Sequence, residues 1–64
     1  MNKVRSKKLQ TLTEKVKKLQ AEIDTFLFEE EEKLQLDSIK YMKSAIQDLT
    51  YAFDNLELAL EYDK

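Results

Sequence analysis

The densest group of potentially reactive side chains is the run of four glutamates at 29–32. Clustered carboxylates can bind a hard cation, and paired carboxylates can act as general acid and base. Calcium loops, however, arrange their oxygen ligands around a glycine turn, and di-iron helical bundles combine Glu with His three residues later. The sequence contains no Gly and no His. We therefore interpret the run as a solvated acidic segment or the first turn of a helix.

The other common catalytic groups are also missing from the sequence. Without Cys or His, there is no thiolate site, no disulfide, and no Ser–His or Cys–His pair to supply a nucleophile. We predict a non-enzymatic protein with no cofactor and no metal site.

Basic residues are concentrated near the start of the chain. Residues 1–18 hold seven basic side chains against Glu14 alone, whereas the remaining residues hold four lysines against twelve acids. A Lys-rich face can contact nucleic-acid phosphates, and the candidates for such contacts are Lys3, Lys7, Lys8, Lys15, Lys17 and Lys18. Only one Arg accompanies them and no aromatic residue is interleaved. Solvation and pairing with acidic residues are therefore favoured, and nucleic-acid binding is the alternative function.

A second group of side chains suits a protein partner. Tyrosine is frequent at interfaces because its ring can be buried while its hydroxyl stays hydrated. The candidates for partner binding are Tyr41, Tyr51, Leu58 and Tyr62. These residues could also complete a homodimer core.

The chain that must position these residues has the composition of an all-α protein. Neither Gly nor Pro occurs among the 64 residues, which removes most hairpin turns and phosphate-binding loops. In the second half, apolar residues recur with spacings of three and four, which is the pattern of a helix packed lengthwise on another. They are Ile39, Met42, Ile46, Leu49, Phe53, Leu56 and Leu60. Ala45, Ala52 and Ala59 form a column of small side chains beside them.

A similar pattern predicts a first helix over about residues 5–27. Its apolar positions are Leu9, Leu12, Val16, Leu19, Ile23 and Phe26. The two patterns differ in phase by two residues, so we place a connection within 27–37 and a second helix extending to about 62. That helix could begin at an N-cap at Asp37 or Ser38, or nearer Glu29. One unbroken helix is the alternative to an antiparallel hairpin, although its length would be unusual.

The length of the chain favours self-association. A domain of 64 residues buries a small core and needs a metal, a disulfide or another chain to stabilise it. The apolar arc of the second helix is also wider than one facing helix requires. We predict a homodimeric four-helix bundle made from two hairpins.

The function predicted from these observations is that of a small intracellular interaction protein. It would be an adaptor, inhibitor or regulator that acts by helix-mediated contact with a protein partner. The charged N-terminus has no apolar stretch behind it, and apolar runs do not exceed three residues, so we expect neither a signal peptide nor a membrane span but a cytoplasmic protein. The composition also suits a small accessory protein encoded by a phage or plasmid.

Overall fold

The computed structural model describes residues 3–62, and within this range the protein is all-helical. Helix α1 spans Lys3–Glu30 and helix α2 spans Leu36–Tyr62, and a short 3-10 turn at Glu31–Lys33 follows α1. The two helices pack against each other as an antiparallel hairpin measuring 47 × 15 × 10 Å. The prediction of an all-α helical hairpin is confirmed.

The connection between the helices lies at residues 31–35. Helix α1 continues to Glu30, beyond the predicted end near residue 27, and α2 begins at Leu36, one residue before the proposed cap at Asp37. The acidic run is therefore divided: its first two glutamates end α1 and its last two lie in the 3-10 turn.

The chain reverses direction without glycine because the turn needs no left-handed residue. Leu34 adopts an extended conformation with φ −90° and ψ 148°, and its N–H bonds to the carbonyl of Glu31 at 3.4 Å. The N–H of Ile39 then bonds to the carbonyl of Gln35 at 3.0 Å, which closes the first turn of α2. Every described residue keeps a negative φ, so ordinary side chains are accommodated throughout the turn.

Helix α2 packs on α1 through the apolar column that its sequence predicts. Ile39 is buried and the remaining members are half-buried. The regular spacing of three and four is sufficient here because every heptad position of this column is apolar.

Helix α1 packs through a different face from the predicted one. Thr13 and Leu27 are the buried residues of α1, and Gln20 is half-buried on the same side. Three members of the predicted apolar set are instead about half exposed: Leu12 at 49 %, Leu19 at 48 % and Phe26 at 50 %. The predicted inner face of α1 was thus wrong in part. Thr13 and Gln20 pack towards α2 in the places predicted for Leu12 and Leu19.

The core of the hairpin is small. Among the described residues, only Leu27 and Ile39 are buried apolar side chains, with 6 % and 9 % of their surface exposed. Both lie near the turn, whereas most apolar side chains elsewhere along the inner faces remain half-buried. A two-helix core of this size is at the margin of independent stability.

Candidate interaction surface

Two polar contacts join the helices on one side of the hairpin. The side-chain amide nitrogen of Gln20 donates to the hydroxyl oxygen of Thr50 at 2.6 Å, and that hydroxyl donates to the carbonyl of Ile46 at 3.0 Å. The ammonium group of Lys17 lies 5.2 Å from the ring centroid of Phe53, within the range of a cation–π interaction. We call this side of the hairpin the polar face.

The same two contacts define the relative heights of residues on the two helices. Gln20 lies level with Thr50, and Lys17, three residues earlier on α1, lies level with Phe53, three residues later on α2. Residues of α1 and α2 can therefore be placed at equal heights along the whole hairpin.

Helical periodicity identifies what lies on the opposite side. Successive side chains of a helix are rotated by about 100°. A side chain three residues after a given position therefore lies on one side of it, and a side chain four residues after it lies on the other side. On α1, Thr13 and Gln20 follow Leu9 and Val16 by four residues, whereas Leu12 and Leu19 follow them by three. Leu12 and Leu19 therefore point away from the polar face.

The same rule applies to α2. Phe53 follows Leu49 by four residues and contacts Lys17 on the polar face. Ala52 follows Leu49 by three residues and so lies on the opposite side, as do its equivalents one heptad away. On both helices, the side chains that follow the inner column by three residues therefore lie on one common side of the hairpin.

We call this common side the open face. It consists of a large column on α1 and an alanine column on α2. The large column is Leu12, Leu19 and Phe26, and the alanine column is Ala45, Ala52 and Ala59. Each large side chain is about half exposed, Ala45 and Ala52 are half-buried, and Ala59 is exposed.

The polar face carries a shallow groove at the end of the hairpin remote from the turn. It has a volume of about 760 Å³ and is open to solvent. Its lining combines apolar residues, among them Phe53, Leu58 and Leu60, with polar residues that include three carboxylates, Glu14, Glu57 and Glu61. The carboxylates in this lining can stay hydrated, which makes the groove less suited than a wholly apolar surface to packing against a second copy.

The tyrosine candidates lie on α2 outside the hairpin contact. Tyr41, Tyr51, Leu58 and Tyr62 are all exposed. Tyr51 and Leu58 are one heptad apart on the outer part of α2, and Leu58 also borders the groove on the polar face. The phenol oxygen of Tyr51 accepts a hydrogen bond from the side-chain amide of Gln47 at 3.1 Å.

The lysine candidates are all exposed along α1. They are Lys3, Lys7, Lys8, Lys15, Lys17 and Lys18. Because the helices are antiparallel, the basic first half of α1 lies beside the acidic second half of α2, where Glu57 and Glu61 line the groove together with Ser6 and Gln10.

The acidic run gives no metal site in the part of the chain that the structure describes. No group of three or more His, Cys, Asp or Glu side chains in residues 3–62 is arranged to hold a metal ion. Glu30 instead forms an ion pair of 3.7 Å with Lys33.

The chain was compared with protein-family models, curated proteins and solved structures. No family model, no curated protein and no solved structure matches it. Within residues 3–62, neither helix has a stretch that is apolar and long enough to cross a lipid bilayer.

Proposed function

We propose that this protein is a small, non-enzymatic interaction protein that works as a homodimeric four-helix bundle. Its role would be that of an adaptor, inhibitor or regulator acting by helix-mediated contact with another protein. The observation that carries the proposal is the open face, where three large apolar side chains remain about half exposed.

The exposed area supports the need for a second chain. The hairpin exposes 5540 Å², whereas a compact monomer of 7.6 kDa would expose about 4,300 Å². The difference of roughly 1,200 Å² exceeds the ~800 Å² that each partner buries in a standard interface. Pairing two hairpins would therefore supply the core that one hairpin lacks.

The tyrosine candidates supply the second part of the proposal. If two copies meet through their open faces, Tyr51 and Leu58 remain on the outside of the bundle. An aromatic ring beside an aliphatic side chain, with a hydroxyl able to stay hydrated, is suited to contact with a protein partner. A cytoplasmic location belongs to this proposal, because a chain without cysteine lacks the disulfides on which small secreted domains commonly depend.

The dimer is tested by measuring the solution mass by light scattering on a sizing column. The wild-type protein is expected at twice the mass of one chain. Leu19→Glu places a charge on the open face and is expected to give the mass of a single chain. Tyr51→Glu, an identical charge on the outer side of α2, is the matched control and should remain dimeric. A wild-type protein that is monomeric at high concentration would contradict the proposal.

The protein partner is tested separately with Tyr51→Ala combined with Leu58→Ala. This variant is expected to retain dimer mass and helix content by circular dichroism, but to lose capture of a partner from lysate. Lys43→Ala combined with Asp54→Ala, which also changes two exposed side chains of α2, should capture the partner normally. Equal capture by both double variants would exclude the Tyr51–Leu58 surface.

Nucleic-acid binding is the second candidate function, and the exposure of all six candidate lysines on α1 favours it. Binding of a short duplex or hairpin RNA should then weaken steeply as salt rises. Lys7→Glu with Lys18→Glu should abolish it, whereas Lys40→Glu with Lys43→Glu on α2 should weaken it less. Absence of binding at low ionic strength would exclude this function.

A further inference from the structure

We infer that two copies of this chain pack open face to open face with their turns at the same end of the bundle. The two-fold axis would run parallel to the helices, so that α1 of each copy lies on α2 of the other. This arrangement rests on the proposed dimer and adds its orientation and register.

The open face is complementary in shape to a second copy of itself, because it contains one column of large side chains and one column of small ones. The large column on α1 projects from one edge of the face, and the alanine column on α2 leaves room along the other edge. With the axis parallel to the helices, the large column of each copy meets the alanine column of the other. Large side chains facing small ones are how closely packed layers interdigitate.

The heights of the two columns agree. A two-fold axis parallel to the helices leaves every height unchanged, so α1 and α2 of different copies align as they do within one hairpin. From the Gln20–Thr50 contact, Leu19 lies at the level of Tyr51, only one residue or about 1.5 Å from Ala52. Leu12 with Ala59 and Phe26 with Ala45 follow at steps of one heptad.

The acidic residues of α2 do not decide between arrangements of two copies. Asp54, Glu57 and Glu61 line the groove on the polar face, so they lie beside the basic first half of α1 of their own chain and away from the open face. Such exposed contacts are partly screened by solvent and favour the antiparallel packing within one hairpin.

The competing arrangement has its two-fold axis perpendicular to the helices and the turns at opposite ends. Helix α1 would then lie on α1 of the second copy and α2 on α2. Leucines would face leucines and alanines would face alanines, which crowds one side of the interface and leaves space on the other.

Cysteine cross-linking distinguishes the two arrangements, and the natural chain contributes no thiol. Leu19→Cys and Ala52→Cys are prepared as separate single variants, unfolded, mixed, refolded and oxidised. Their different masses allow the mixed disulfide to be recognised by mass spectrometry. We expect Leu19→Cys to cross-link to Ala52→Cys in preference to itself, because a disulfide needs two positions that face each other closely, as these two would in the proposed arrangement.

Two further mixtures test the register. Leu12→Cys with Ala59→Cys should also form the mixed disulfide, and it provides a second measurement if the first pair perturbs folding. Leu19→Cys with Ala45→Cys is the mismatched control, since Ala45 lies six residues, about 9 Å along the axis, from the level of Leu19. It should cross-link at least tenfold less.

Each outcome bears on one of the two claims. Mixed disulfides in both matched pairs support the parallel axis. A wild-type dimer in which the matched pairs do not cross-link, or in which the mismatched pair cross-links equally, overturns the orientation but leaves the proposed dimer intact. A wild-type monomer by light scattering removes both claims.

Discussion

At the scale of single residues, the contact between α1 and α2 contains a polar pair, Gln20 and Thr50. Gln20 donates to Thr50, but the side-chain carbonyl oxygen of Gln20 is buried without a hydrogen-bond partner in the structure. An unsatisfied buried polar atom costs about 1–3 kcal/mol, whereas the hydrogen bond that Gln20 makes contributes about 0.5–1.5 kcal/mol. For an unpaired oxygen the cost exceeds the gain, so we expect the pair to align the helices at a net cost in stability.

Replacing Gln20 by leucine should accordingly stabilise the protein. Thr50 would keep its hydrogen bond to the carbonyl of Ile46, so the substitution leaves no new unsatisfied hydroxyl. We expect the free energy of unfolding to rise by about 1 kcal/mol, measured by urea denaturation at a fixed protein concentration. Gln47→Leu, the same change at an exposed position of α2, should leave stability nearly unchanged. Destabilisation by Gln20→Leu would show that the buried oxygen is satisfied in solution.

At the scale of helices, the sequence predicts α2 better than α1. The heptad positions of α2 that pack on α1 are all apolar, so periodicity alone identifies them. On α1, three columns compete for two inner positions: Leu9 and its heptad equivalents, the large column, and the column of Thr13, Gln20 and Leu27. Hydropathy favours the large column, yet the Thr13 column packs inward. Thr13 can do so because its hydroxyl donates to the carbonyl of Leu9 at 2.8 Å, which satisfies the buried hydroxyl within its own helix.

The turn was likewise only partly predictable. A change of phase between the two heptad patterns indicated a break within 27–37, and the structure has its connection at residues 31–35. The phase change could not give the helix ends. Turn residues that normally mark such ends are absent, and the reversal depends instead on a 3-10 turn and the extended Leu34. The candidate lysines and tyrosines are exposed in the hairpin. The open face could not be predicted, because it depends on which column of α1 packs against α2.

The charge distribution along α1 opposes its helix dipole. Its first turn contains no acid and its last turn contains no base, while Glu29 and Glu30 lie at its C-terminal end. Glu29→Lys should therefore raise the free energy of unfolding by about 0.3–1 kcal/mol. The measurement is urea denaturation at low salt, compared with Glu14→Lys near the middle of the basic half, which should not stabilise. Equal effects of the two substitutions would mean that net charge, and not the helix end, is responsible.

At the scale of the whole molecule, we expect folding of the hairpin to be coupled to formation of the dimer. A hairpin with two buried apolar side chains among the described residues has a small core, so its free energy of unfolding as a single chain should be low. Joining two open faces would bury the large columns of both copies and convert two marginal hairpins into one bundle with a continuous apolar interior. The surface left outside would then be the lysines of α1 and the Tyr51–Leu58 side of α2.

The measurement that tests this account most directly is thermal unfolding, followed by circular dichroism, over a hundredfold range of protein concentration. If the second copy completes the core, unfolding also separates the two chains, and mass action raises the midpoint with concentration. A rise of roughly 5 °C for each tenfold increase is expected for a bundle of this size. A midpoint that is the same at every concentration would contradict the account, because the hairpin would then be stable alone.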